Sequence, residues 1–169
     1  MKKTILLLSA ILLTALLASC GGSTGSATKV PMTSTTTNAL GKCFEDLRPQ
    51  VRQWNTVSAN MLAAYTNQNI SASDTVTVFE TNLPTLTQTV ASMKTASAPC
   101  KSDSLISTVL ETYEQKLSGY TALRNALVIR STTAEQDALT ALKRANDLSL
   151  STSCKFLEKL AEPKPSNCP

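Results

Sequence analysis

The 169-residue chain contains no histidine. Histidine is the most common general base and the most common metal ligand, so its absence excludes His-containing catalytic triads and the usual His-ligated haem. Aromatic residues make up only 4% of the chain, and no basic stripe is interleaved with them. This composition disfavours nucleic-acid binding. We therefore expect no nucleic-acid partner, no cofactor and no metal.

Long apolar runs are also lacking, with one exception near the amino terminus. Residues 5–18 are apolar apart from Ser9 and Thr14, and they follow Lys2 and Lys3. This run of about 14 residues is shorter than the roughly 20 that span a membrane as a helix. A basic start, a short apolar segment and small residues behind it are typical of a secretory signal peptide.

The apolar run leads into residues 17–21, which read Leu-Ala-Ser-Cys-Gly. This segment resembles the lipobox of bacterial lipoproteins, and the resemblance covers residues 1–21 only. It implies that residues 1–19 are removed as the signal peptide and that Cys20 is diacylated with palmitate-type chains. The lipid on Cys20 would then hold the protein on a membrane of the cell envelope. Gly21 stands where an aspartate often retains such proteins at the inner membrane, so the resemblance favours the outer membrane in a host with two membranes.

The chain that remains after removal of the signal peptide has two predicted parts. Residues 20–37 are mostly Gly, Ser and Thr, a composition typical of a flexible tether. Residues 38–169 are predicted to form a helical domain with an extended tail.

Four apolar stripes with alternating spacings of three and four predict four helices in that domain. They run from Leu40 to Tyr65, from Val76 to Met93, from Ile106 to Leu127 and from Ala138 to Leu160. Four segments of about 25–30 residues with short connections predict an all-α fold, an antiparallel up-down-up-down four-helix bundle.

Polar and proline residues set the predicted helix boundaries. Residues 67–73 end the first helix, Pro99 ends the second, and Ser102 or Asp103 caps the third. Residues 132–135, Thr-Thr-Ala-Glu, have the form of a capping box for the fourth.

Two prolines interrupt the apolar stripes. Pro49 and Pro84 lie inside the first and second helices, where each removes a hydrogen bond and predicts a kink. The alternative at Pro49 is a short turn followed by the main helix.

Four cysteines remain after Cys20, and in an oxidising compartment they predict two disulfides. In an up-down bundle all four collect at one end. Similar heights along the helices favour the pairs Cys43–Cys154 and Cys100–Cys168, with Cys43–Cys100 and Cys154–Cys168 as the close alternative.

The opposite end of the bundle is the candidate binding region. It carries the connections with Asn67 and Asn69 and with Arg130 and Thr132. Since the tether enters at the cysteine end, we expect this tip to point away from the membrane and to contact a partner.

Candidates for chemistry are weak. The acidic residues are scattered, and Glu111 and Glu114 are placed beside Lys116 on a face expected to be solvated. We therefore expect a non-enzymatic, membrane-anchored module that binds an envelope protein or a surface polymer. The alternative is a small-ligand binder or sensor with a pocket inside the bundle, lined by Trp54, Tyr65 or Arg124.

Overall fold

The computed structural model describes residues 35–159 together with Ser166 and Cys168. Within these residues the chain forms four α-helices and no strand. They are α1 (Thr35–Thr66), α2 (Ala72–Ser97), α3 (Ser104–Ile129) and α4 (Thr132–Lys159), and a 3₁₀ turn (Ala98–Cys100) follows α2. The all-α class and the four-helix bundle are confirmed. The signal peptide, Cys20 and residues 20–34 of the predicted tether lie outside the described residues.

The helices have nearly the predicted bounds, and local hydrogen bonds explain where they begin. The Ser71 hydroxyl accepts from the Asp74 N–H over 3.1 Å at the start of α2. The Asp103 carboxylate accepts from the Leu105 N–H over 2.9 Å at the start of α3. α1 begins at Thr35, so the helical part starts three residues before the predicted boundary at residue 38.

The predicted capping box at residues 132–135 is wrong by one position. The Ser131 hydroxyl accepts from the Ala134 N–H over 3.3 Å and so caps α4. The Glu135 carboxylate accepts instead from the hydroxyl of Tyr65. The Glu135 side chain therefore contacts α1 and does not bond to a backbone N–H at the start of α4, as the predicted capping box would require.

Both internal prolines lie within continuous helices, Pro49 in α1 and Pro84 in α2. The alternative of a break before Pro49 is therefore wrong. Both prolines are exposed, so water is available to the carbonyl groups that lose a helical donor.

The core follows the predicted stripe closely in α1. Leu40, Leu47, Trp54 and Met61 recur every seven residues and are all buried. The Trp54 ring lies edge-on to Tyr113 of α3, with centroids 5.1 Å apart. These contacts join α1 to the centre of α3.

The buried face of α3 is broader than its predicted stripe. Leu110 and Leu117 are only half-buried, whereas Gly119 and Leu123 are buried. The cause is that α3 packs closely against both α2 and α4. A β-carbon on Gly119 would lie 2.7 Å from Cγ of Leu142, so the glycine permits the close approach of α4.

The cysteine pairing differs from the favoured prediction. The disulfides are Cys43–Cys100 and Cys154–Cys168, with Cα atoms 6.5 and 5.6 Å apart. The favoured pairs Cys43–Cys154 and Cys100–Cys168 are therefore wrong, and the alternative pairing is present.

The lateral distance between α1 and α4 explains why the favoured pairing does not form. The backbones of α1 and α4 approach less closely than those of helices adjacent in sequence, and the 3₁₀ turn that holds Cys100 lies against α1. The rings of Phe44 and Phe156, with centroids 4.9 Å apart, occupy the space between α1 and α4 near this end. Similar height on two helices thus does not bring two sulfur atoms within bonding distance.

Candidate functional site

The two helix connections opposite the cysteine end form the candidate site, which we call the tip. Asn67 and Asn69 lie in the turn between α1 and α2, where the Asn67 side chain accepts from the Asn69 N–H over 2.9 Å. Arg130 lies between α3 and α4, and Thr132 is the first residue of α4. All four side chains are exposed.

One hydrogen bond links the end of α1 to the start of α4, next to the two connections. The Tyr65 hydroxyl, one residue before the end of α1, donates to Oε1 of Glu135 over 2.5 Å. Burial of the phenol and the adjacent carboxylate hold the pKa of Tyr65 well above its ordinary value. Tyr65 is a donor at neutral pH, and its bond joins the helix ends that lie next to the two connections.

The tip also carries the exposed apolar residues of the described chain. Val128 and Ile129 are 50% and 68% exposed, and they are the large hydrophobic side chains that stand out in solvent among the residues the structure describes. Both side chains lie in the last turn of α3, next to the connection that leads to α4. Sequence reasoning missed both. The sequence does contain a signal for them, the run Leu-Val-Ile at residues 127–129. Only Leu127 belongs to the predicted apolar stripe, so the two apolar residues after it have no place on the buried face.

Arg130 has a left-handed backbone conformation, with φ 54° and ψ 38°. Its N–H donates to the Leu127 carbonyl over 3.3 Å, and the Ser131 N–H donates to the Ala126 carbonyl over 3.0 Å. This is a Schellman motif, whose left-handed position is usually glycine. An L-residue with a side chain costs about 1 kcal/mol there. Arg130 thus follows the exposed aliphatic pair directly in the chain, at a position where glycine would adopt the conformation without strain.

A buried lysine in the core was not predicted. Lys116 is 2% exposed, so its expected place on a solvated face is wrong. Its Nζ lies 5.0 Å from the centroid of the Tyr113 ring, and burial lowers the pKa of Lys116 to about 8. Within the described residues Lys116 forms no ion pair with a carboxylate. The cation is stabilised by the face of an aromatic ring instead.

The three residues named for an internal ligand pocket are not brought together. Trp54 is buried between tyrosines of the core, and Tyr65 lies at the tip. Arg124 forms an ion pair with Glu80 over 2.5 Å beside an open depression between α2 and α3. The arrangement therefore does not support a pocket built from these side chains.

The acidic residues of α3 are used in surface contacts. Glu114 pairs with Lys94 of α2, and Glu111 accepts from the side chain of Gln115 over 3.1 Å. Across residues 35–159, Ser166 and Cys168, no group of three or more acidic or cysteine side chains is arranged to hold a metal ion. In the same part of the chain no helix has the length and apolar character of a membrane span.

Comparison with protein families, with characterised proteins and with solved structures finds no match to this chain.

Proposed function

We propose that the chain is a lipid-anchored cell-envelope lipoprotein that binds another macromolecule, an envelope protein or a surface polymer, without catalysing a reaction. The observation that carries this proposal is the exposure of Val128 and Ile129 beside Arg130 at the tip. Interfaces between proteins use such aliphatic contacts together with arginine, whose planar guanidinium bonds to acceptors on the partner.

The proposed topology of the bundle is up-down-up-down and antiparallel. Contacts between opposite ends of neighbouring helices support it. The end of α1 contacts the start of α4 through Tyr65 and Glu135, and the end of α4 contacts the start of α3 through Lys159 and Asp103, 2.6 Å apart. In this arrangement the tip and the cysteine pairs occupy opposite ends of the bundle.

The proposed membrane attachment is the lipid on Cys20. α1 begins at Thr35, so 14 residues separate the lipidated cysteine from the first helix of the bundle. Two or three acyl chains give lasting anchorage where one chain is marginal. α1 has 32 residues, a length of about 48 Å, and its far end is at the tip. The tip is therefore proposed to face away from the membrane, which is the outer membrane in a host with two membranes.

Two variants test the proposal. Cys20→Ser removes the thiol that carries the acyl chains, so mass spectrometry should find a diacylglyceryl group on the wild-type chain and none on the variant. Val128→Ser with Ile129→Ser removes the apolar surface of the tip and leaves the core unchanged. The double variant should lose a partner that the wild-type chain retains from solubilised envelopes.

The control is Lys143→Glu with Asp147→Lys. It reverses an exposed ion pair on α4, whose Nζ and Oδ2 atoms lie 2.7 Å apart, and should retain the partner. Equal retention by the tip variant would contradict the proposed role of the tip. An unmodified Cys20 in the mature protein would contradict the proposed anchor.

A further inference from the structure

A second surface, on the outer side of α2 and α3, contains no charged residue across its centre. We call it the α2–α3 face. It includes two shallow depressions of about 380 and 420 Å³ that share Thr87. Neither residues 81–93 of α2 nor residues 117–123 of α3 include an acidic or basic residue. The floor consists of small and apolar side chains, namely Leu83, Pro84, Thr87, Ala91, Leu117 and Thr121.

Four charged side chains mark the corners of this face. Glu80 and Arg124 form an ion pair at one end, with Oε1 and NH2 2.5 Å apart. Lys94 and Glu114 form an ion pair at the other end. The four side chains are between 34% and 56% exposed, so each keeps surface available to a partner. Along α2 the corners are 14 residues apart, a distance of about 21 Å.

The signs of the corners alternate around the face. Glu80 and Glu114 occupy one diagonal, and Lys94 and Arg124 occupy the other. A second copy can be placed on this face by a two-fold rotation about an axis that lies in the plane of contact and runs either along the helices or across them. In both cases every corner meets a corner of opposite sign. This charge pattern is therefore complementary to itself.

We propose that the α2–α3 face binds the same face of a second copy of this chain. Such an isologous contact uses one patch twice and closes as a dimer. Small side chains such as Thr87, Ala91 and Thr121 let the two faces approach, and the corner charges fix their orientation. This face is separate from the tip, so a second copy bound here leaves the tip available to its own partner.

The size of the face sets the strength of the contact. A patch about 21 Å long and two helices wide has roughly 400 Å² per copy, about half of a standard interface. The dimer is therefore weak, and its corner pairs are sensitive to salt because they lie at the rim.

Co-capture of two differently tagged full-length copies, expressed together and chemically crosslinked before extraction in detergent, tests the proposal. Glu80→Lys with Glu114→Lys makes all four corners positive, and Lys94→Glu with Arg124→Glu makes all four negative. Each variant should lose capture of itself by about tenfold, and the two variants together should recover it, because opposite corners then meet. The reversed Lys143–Asp147 pair on α4 is the control and should be captured like wild type.

Thr87→Glu tests the centre of the face without disturbing the ion pairs. Thr87 is exposed, so the folded helix tolerates the change, which circular dichroism checks. Its capture should fall by about tenfold, and about 1 M salt should weaken capture of wild type. Wild-type copies that do not capture each other, Thr87→Glu captured like wild type, or opposite variants that fail to recover capture would overturn the proposal. A different protein held on this face in place of a second copy would overturn it as well.

Discussion

The Tyr65 hydroxyl donates to the Glu135 carboxylate over 2.5 Å and joins the last turn of α1 to the first turn of α4. The backbones of these two helices approach less closely than those of helices adjacent in sequence. The bond therefore joins the helix ends next to the two connections of the tip, where Asn67, Asn69, Arg130 and Thr132 are exposed.

Replacing Tyr65 by Phe should destabilise the protein by about 1 kcal/mol, because the half-buried Glu135 carboxylate loses a donor. Urea denaturation measures the change in free energy of unfolding. In a double-mutant cycle with Glu135→Ala, the two effects should not add. Additive effects would show that the bond contributes nothing to the stability of the tip.

Replacing Lys116 by Met should stabilise the protein by about 2–3 kcal/mol at pH 7, because burial of the ammonium is unfavourable. The folded-state pKa is about 8 and the ordinary value is 10.5, so between these values the unfolded chain binds more protons than the folded chain. Wild-type stability should therefore rise as the pH rises above about 8. The rise is best measured up to about pH 10, where the tyrosines of the unfolded chain begin to ionise.

Denaturation of both proteins at several pH values checks this prediction. The Lys116→Met variant should lack the rise in stability. The exposed Lys155 provides the control, and Lys155→Met should leave both the stability and its pH dependence unchanged. A Lys116→Met variant less stable than wild type at pH 7 would contradict the account of the buried ammonium.

Replacing Gly119 by Ala should destabilise the protein by about 1–3 kcal/mol, because the new methyl group would lie 2.7 Å from Cγ of Leu142. Gly41 is a matched control within α1, since nothing lies within 4 Å of its β-position. Gly41→Ala should stabilise the protein by about 0.5–1 kcal/mol through helix propensity. Thermal unfolding of the two variants separates the packing effect from propensity, and a shift of the same sign in both would contradict the close contact of α3 with α4.

Replacing Arg130 by Gly should raise stability by up to about 1 kcal/mol, because glycine adopts the left-handed conformation without strain. The same change should weaken partner binding, since the guanidinium is lost from the tip. Arg144→Gly, inside α4, should instead cost about 1 kcal/mol of stability. Reduced stability of Arg130→Gly would contradict the assignment of strain to this position.

The sequence predicted α1 well and α3 less well, for a physical reason. α1 buries one face, so its buried residues recur every seven positions from Leu40 to Met61. α3 packs closely against two helices and buries residues outside a single stripe, including Lys116 and Gly119. A heptad pattern in the sequence predicts a helix and one of its buried faces. It does not predict a second buried face made of small or polar residues.

The position of the tip could be predicted from helix-breaking residues, whereas its surface could not. Val128 and Ile129 have the composition of core residues, and only the end of α3 at Ile129 places them in solvent. The favoured prediction of the cysteine pairing was wrong for a related reason. Heights along the helices can be counted in residues, but the lateral distance between α1 and α4 depends on side chains such as Phe44 and Phe156.

Photo-crosslinking at the tip tests the central claim most directly. A photoreactive residue in place of Ile129, in the full-length chain within cells that produce it, should form a discrete adduct with a different macromolecule. The same residue in place of the exposed Arg144 on α4 should not form that adduct. No adduct from position 129, or the same adducts from both positions, would contradict the tip as the binding surface.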